Sequence, residues 1–180
     1  MGGYIAFEIM RQAPERVTKL ALLDTGARHD TSEQTERRRV LMRLAREGRF
    51  AEIPEQAFPI YVHPNRRTDE ALKRVVREMA DATGVDAYLC QQQAILARPD
   101  SRPTLATISC PTLVLVGDHD EPTPPELAEE IATGIRGSRL IVIPDSGHLT
   151  TLEQPAAVTK ALVGWLQSGA DPLPRTAAAG

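Results

Sequence analysis

Two short segments of this sequence gather side chains able to move protons. Gly117-Asp118-His119-Asp120-Glu121-Pro122-Thr123-Pro124 follows the apolar run Thr112-Leu113-Val114-Leu115-Val116, and Pro144-Asp145-Ser146-Gly147-His148-Leu149 follows Leu140-Ile141-Val142-Ile143. If those runs are neighbouring strands, a carboxylate on one loop can meet an imidazole on the next. An imidazole held by a buried carboxylate keeps one tautomer and has a stabilised cation, as a general base acting on a hydroxyl requires. The residue types offer Asp118 or Asp120 as the acid and His148 as the base. The competing role of each acid is a turn residue hydrogen-bonded to its own backbone. Asp145 shares the histidine's own loop and reads as a turn former, and His119 as a solvated loop residue. His119 with Asp118, Asp120 and Glu121 lacks a second histidine at helical spacing, so neither a metal nor another cofactor is expected.

Those loops need a scaffold, and the pattern on either side of them supplies one. Ile5 and Ile9 stand one helical turn apart with Ala6 and Met10 beside them, so a helix begins almost at Met1 and stops before Pro14. No Ser, Thr, Asp or Asn precedes it to cap its free N–H groups. Val17 to Leu23 is an apolar run closed by Asp24-Thr25-Gly26, which reads as a buried strand. From Ala27 to Arg98 only helical periods are found. Thr31 with Gln34 is a capping box leading to Val40, Leu41, Leu44 and a stop at Gly48. Leu72, Val75, Val76 and Met79 repeat at helical spacing ahead of Gly84, and a third helix spans 86–97. Arg37, Arg38, Arg39, Arg43 and Arg46 alternate with Glu33, Glu36 and Glu47, the pattern of a solvated face. His29 and His63, in the same stretch, read as surface residues, and Phe58, Tyr61, Tyr88 and Met79 as core or as a pocket lining. Beyond it, strand 112–116, helix 125–132, strand 140–143 and helix 156–166 alternate, which is the order of parallel α/β packing.

Composition closes off other classes of function. Among 180 residues, 42% are hydrophobic and 25% charged, close to folded soluble averages, which excludes a disordered or fibrous chain. The 21 basic and 24 acidic side chains leave a net charge of -3, so no field draws nucleic acid. No apolar run reaches the length of a bilayer span and no leader is visible, so a cytoplasmic chain without membrane attachment is expected. Two cysteines, Cys90 and Cys110, cannot build a disulfide framework.

Gly117-Asp118-His119-Asp120 after one apolar strand, Gly147-His148 after the next, and Leu152-Glu153-Gln154-Pro155 opening the last helix together resemble the C-terminal part of the α/β-hydrolase superfamily. Arg98-Pro99-Asp100-Ser101-Arg102-Pro103 leading into Pro111-Thr112-Leu113-Val114 is similar to a common form of it. The resemblance runs from Met1 to about Leu166. It implies a partial α/β-hydrolase fold: three parallel strands with flanking helices, a core of residues 1–26 and 99–168, a helical cap over 27–98, and a flexible tail over 169–180. The family's G-x-x-D pattern matches Asp120 as the acid, and its histidine matches His148. Met1-Gly2-Gly3-Tyr4-Ile5-Ala6 resembles the stretch just after the serine of G-x-S-x-G, which implies a nucleophile immediately before Met1 and Met1 as the oxyanion-hole N–H. Ser32, Ser101, Ser109, Ser138, Ser146 and Ser168 all lie outside such a motif.

The resemblance implies a cofactor-free serine hydrolase acting on a small ester, lactone or related carbonyl substrate, with this chain inactive by itself. An acyltransferase or haloperoxidase reaction, or a non-catalytic binding or assembly module, is the alternative. The strand at 17–23 is expected to expose an unpaired edge, and the helices after Met1 and before Leu166 to lack cover. The expected partners are therefore an N-terminal half or a second copy through that edge, and the chain alone is expected to be poorly soluble or molten.

Overall fold

A computed structural model describes residues 1–167; the tail expected at 169–180 lies outside the described residues. The element order is α1 (Gly2–Gln12), β1 (Leu20–Leu23), α2 (Ser32–Arg46), α3 (Glu52–Tyr61), α4 (Glu70–Ala97), α5 (Arg102–Leu105), β2 (Thr112–Gly117), α6 (Pro125–Gly134), β3 (Arg139–Ile143), α7 (Thr150–Glu153) and α8 (Pro155–Gln167). The strands form one parallel sheet in the order β1-β2-β3, with Leu22 beside Val114 and Leu115 beside Ile141.

Alternation along the strands divides the apolar side chains between two faces. Leu20, Leu22, Val114 and Val116 pack against Phe7 and Met10 of α1 and Ala128 and Ile131 of α6, while Leu115 and Ile143 turn to Val158 of α8. Every residue of β2 is buried, the signature of a central parallel strand covered on both faces. β1 is shorter than the apolar run suggests, starting at Leu20 rather than Val17, and among the described residues it pairs with β2 alone. The inward stripe of α1 is Phe7 and Met10, not Ile5 and Ile9. Ile5 and Ile9 are exposed, as are Val163 and Leu166 on α8. No helix among the described residues is long and apolar enough to cross a membrane.

The segment 27–98 is helical as its periods predict. The Thr31 capping box forms with both hydrogen bonds, Gln34 N–H to Thr31 Oγ1 and Thr31 N–H to Gln34 Oε1. Gly84, with φ of 73° and ψ of 167°, is non-helical and divides α4 into two helical stretches, stopping the first where the sequence predicts and letting the second run on to Ala97. α3 occupies a stretch where Pro54 and Pro59 hide the helical period. Its Phe58, with Val62 and Leu72, forms a separate small core against which Leu149 and Leu152 pack. That contact ties the helical segment to the loop carrying His148.

Candidate active site

All three strands end at the same edge of the sheet, and each delivers a carboxylate or an imidazole there. Beyond β2, Asp120 is 2% exposed and its two oxygens lie 3.0 and 2.9 Å from His148 Nδ1. The Thr123 amide donates to Asp120 Oδ1 at 2.8 Å and the Thr123 hydroxyl to Oδ2 at 2.8 Å. Asp120 thus accepts on both oxygens, and the proton between it and His148 belongs to Nδ1. Nε2 is left with its lone pair directed away from the acid, the state of a general base.

The histidine loop is held from several sides. His148 N–H donates to Tyr61 O at 2.7 Å, and the Tyr61 ring lies 5.5 Å from the imidazole. Buried Glu153 accepts from Gly147 N–H at 2.8 Å and from His63 N–H at 2.7 Å, so one carboxylate clasps the histidine loop to the helical segment. Gly117 and Gly147 are glycines because backbone fills the space where Cβ would sit: the carbonyls of Ser146 and Gly147 against Gly117, and Tyr61 O and His63 N against Gly147.

Asp118, the other candidate acid, does a different job. Its oxygens accept from the amides of Asp145 and Ser146, both at 3.1 Å, and Oδ1 is 2.9 Å from His119 Nδ1. Partial burial works against the charge, but those hydrogen bonds outweigh it and hold the carboxyl below its ordinary range. It staples the two loops together, and the acid beside His148 is Asp120.

β1 contributes Asp24, which the sequence reads only as a turn residue. Its backbone is left-handed (φ 48°), Thr150 Oγ1 donates to its Oδ2 at 2.5 Å and Gly117 N–H to its Oδ1 at 3.3 Å. Burial pushes its carboxyl up to about 7, against the pull of the Thr150 hydroxyl. The available signal was its position: a carboxylate at a parallel strand's C-terminal end.

A cavity of about 410 Å³ opens in front of His148, walled by Met1, Tyr4, Asp30, Arg38, Tyr61, Tyr88, Arg98 and Thr123 among others. Tyr61 and Tyr88 line it as expected, whereas Phe58 is buried in the small core and Met79 is exposed. Met1, at the N-terminal end of α1, shares the cavity with His148. No serine among the described residues lines it. Ser146, next but one to His148, is fully buried with no partner for its hydroxyl.

Two readings of the sequence are corrected. His63 is not a surface residue: it is 6% exposed, its Nδ1 accepts from Asn65 N–H at 3.2 Å, and its ring meets His119 edge-on at 4.3 Å. Arg37, Arg39, Arg43 and Arg46 do face solvent, but Arg38 turns into the cavity wall, because Asp30 and Gln92 draw its guanidinium inward. His29 is exposed at the cavity's rim, 3.8 Å from Asp100. His63, Asp118 and His119 bring potential ligand atoms within 4.8 Å of one another. The Nδ1 lone pair of His63 is already occupied by Asn65 N–H, which leaves the proton on Nε2, and both Asp118 oxygens are engaged. Within it His119 Nδ1 pairs with Asp118 Oδ1, and the His63 ring meets His119 edge-on. Cys90 and Cys110 are free thiols.

A parallel sheet covered by helices, whose strand ends bring an acid from one loop against a histidine from the next, defines an α/β hydrolase fold. Residues 1–161 match the model of the "Alpha/beta hydrolase family", and the chain belongs to that family. It is similar to a thermophilic esterase from Thermogutta terrifontis solved with malate bound (38% identity, TM-score 0.85, covering 92% of this chain and 61% of that one). The enol-lactonase from Burkholderia xenovorans LB400 superposes with a TM-score of 0.81 at 26% identity over 92% of this chain and 62% of that one. A 2-hydroxy-6-oxononadienedioate/2-hydroxy-6-oxononatrienedioate hydrolase of Klebsiella pneumoniae is 29% identical over 172 residues, 92% of this chain and 59% of the relative. The chain therefore spans less than two thirds of the length of these relatives.

Proposed function

We propose that the chain carries the acid and base of a serine hydrolase acting on an ester, lactone or related carbonyl. Asp120 orients His148, and the nucleophile belongs in a G-x-S motif ahead of Met1, at the N-terminal end of α1. The observation that carries this reading is the Asp120–His148 pair, whose Nε2 is free beside a cavity that also reaches Met1. The esterase and enol-lactonase likenesses support a carbonyl substrate.

In this mechanism the serine oxygen attacks the carbonyl carbon as its proton passes to His148 Nε2. The Met1 amide, at the positive end of α1, stabilises the oxyanion, and collapse expels the leaving group with the proton from His148. Water then attacks the acyl-enzyme, His148 takes its proton, and the serine oxygen leaves with that proton as the acid product is released. The helices of 27–98 act as a cap that shapes the pocket and excludes water.

The test is to read the gene upstream of Met1 and express the chain with any in-frame G-x-S restored. Stoichiometric fluorophosphonate labelling of that serine, with acid as product in water, is the expected result. Labelling of a serine within these 180 residues overturns the missing nucleophile. A stop codon close upstream overturns the hydrolase reading and leaves a binding or assembly module.

A further inference from the structure

The reading of the site as a hydrolase leaves the substrate open, and the arginine run that the sequence suggests is solvated supplies the missing constraint. Resting on that reading, we propose that the cavity takes substrates carrying a carboxylate remote from the reacting carbonyl, seated at Arg38 and Arg98.

The charges in the cavity wall do not balance. Among the described residues lining the cavity, Asp30 is the one acid, set against Arg28, Arg38 and Arg98. Arg28 is neutralised from outside the lining by Glu130 at 2.9 Å. Arg38 and Arg98 must share Asp30: Arg38 Nε lies 2.6 Å from Oδ2, and Arg98 Nη2 lies 2.8 Å from Oδ1. Burial opposes ionisation of Asp30, but the two guanidinium partners outweigh it and hold the carboxyl below its ordinary range, so it carries its charge near neutrality. Two cations on one anion leave a positive charge unbalanced in the wall. Arg38 is only 25% exposed and Arg98 11%, so water relieves little of it.

The donors are in surplus as well. Arg38 uses three of its N–H groups, two on Asp30 and one on Gln92 Oε1. A guanidinium has more donors than that, so part of its edge remains for a ligand. Arg98 is fixed against movement by the carbonyls of Arg28 and Ile95 and by the Tyr4 ring, 4.2 Å below its guanidinium carbon. The subsite is thus preorganised. Tyr61, whose ring lies 5.5 Å from His148, lines the same cavity as Arg38 and Arg98, so the subsite and the base open onto one space. A cavity of about 410 Å³ suits a short acid half-ester or an acid-bearing lactone.

Binding tests this without catalysis. Calorimetry on the chain would compare monomethyl glutarate with the uncharged dimethyl glutarate. The half-ester is expected to bind at least about tenfold more tightly, with the preference shrinking in high salt. Arg38→Gln should abolish that preference, Arg38→Lys should keep part of it, and Arg49→Gln, on a distant surface pair, should leave it intact. Equal affinities for the two esters in the unsubstituted chain overturn the proposal, and that comparison stands even if Arg38→Gln fails to fold. A preference retained in a folded Arg38→Gln chain overturns it too. Half-ester binding without hydrolysis by the serine-restored chain refutes the hydrolase reading alone. Hydrolysis indifferent to the remote carboxylate refutes the subsite alone.

Discussion

The strand-end loops and the helical segment 27–98 wall the same cavity by opposite means. At the strand ends, function follows from local chain geometry: β2 and β3 are parallel neighbours, so their C-terminal loops must meet, and a carboxylate and an imidazole on them fall within 3.0 Å of each other. In the helical segment, helical phase sets Arg38 on the stripe of buried Met42 and Ala45 and turns Arg37 and Arg39 to solvent. What it cannot supply are the partners that fix the Arg38 guanidinium, Asp30 and Gln92, the latter 54 residues away. On the proposed function the first region fixes the reaction's chemistry and the second selects what enters, and substitutions in the two should separate those quantities.

The sharpest separation comes at Asp120. In the chain with a serine restored, Asp120→Asn keeps the shape but lets Nδ1 accept rather than donate, which favours the wrong tautomer of His148. The expected loss in kcat is about 10⁴-fold, with KM for a half-ester little changed. A loss confined to KM would break the division between the regions.

Next in size is Glu153, a buried carboxylate that holds both regions. Glu153→Ala strands two buried N–H groups, those of Gly147 and His63. At the usual cost of such orphans the chain should lose about 3 kcal/mol, read as a shift in the urea midpoint. An unchanged midpoint would mean that the remaining ties, His148 N–H to Tyr61 O, the Arg67–Glu121 pair and the apolar contacts of Leu149 and Leu152, hold the two regions without it.

How far each region was legible follows from the same contrast. The three strands and the two loops that carry the acids and His148 could be read from sequence because periodicity and the strand-end rule act over a few residues. Thr31 with Gln34 fixed the start of α2 for the same reason. The preference for Asp120 over Asp118 came instead from the resemblance to the family's G-x-x-D pattern. Glu153 and Asp24 escaped although their positions were in view, because their partners, His63 and Thr150, lie 90 and 126 residues away. His63 read as a surface residue because its burial comes from the loop around His119, which no local pattern announces. α3 was hidden by its own prolines. The inward face of α1 could not be assigned between Ile5/Ile9 and Phe7/Met10, since both pairs have helical spacing.

A smaller effect tests whether the third strand end belongs with the other two. Asp24 titrates near 3.8 when unfolded and at about 7 in the fold. Between those values the native state holds a proton that the unfolded chain has released, so stability falls as pH rises through this window and levels off above about 7. Glu55 and Asp100, each held at about 2 by arginine partners with burial opposing, act in the other direction. Their stabilisation grows with pH and is complete once the unfolded carboxyls ionise, below most of the Asp24 window. Asp24→Asn should therefore flatten the pH dependence of the unfolding midpoint between about 4 and 7 and leave the acid limb intact.

The smallest expected change is on the outer face of the helical segment, where Arg39 lies 3.7 Å from Glu36 and both side chains are more than half exposed. An exposed pair gains little against solvent screening and side-chain entropy, so Arg39→Ala should move stability by less than about 0.5 kcal/mol. It should also leave half-ester binding unchanged, although Arg38 is its immediate neighbour. If Arg39→Ala weakened half-ester binding as much as Arg38→Gln, the positive field of α2 as a whole would be selecting the ligand. The distinction between one inward arginine and its solvated neighbours would then fall.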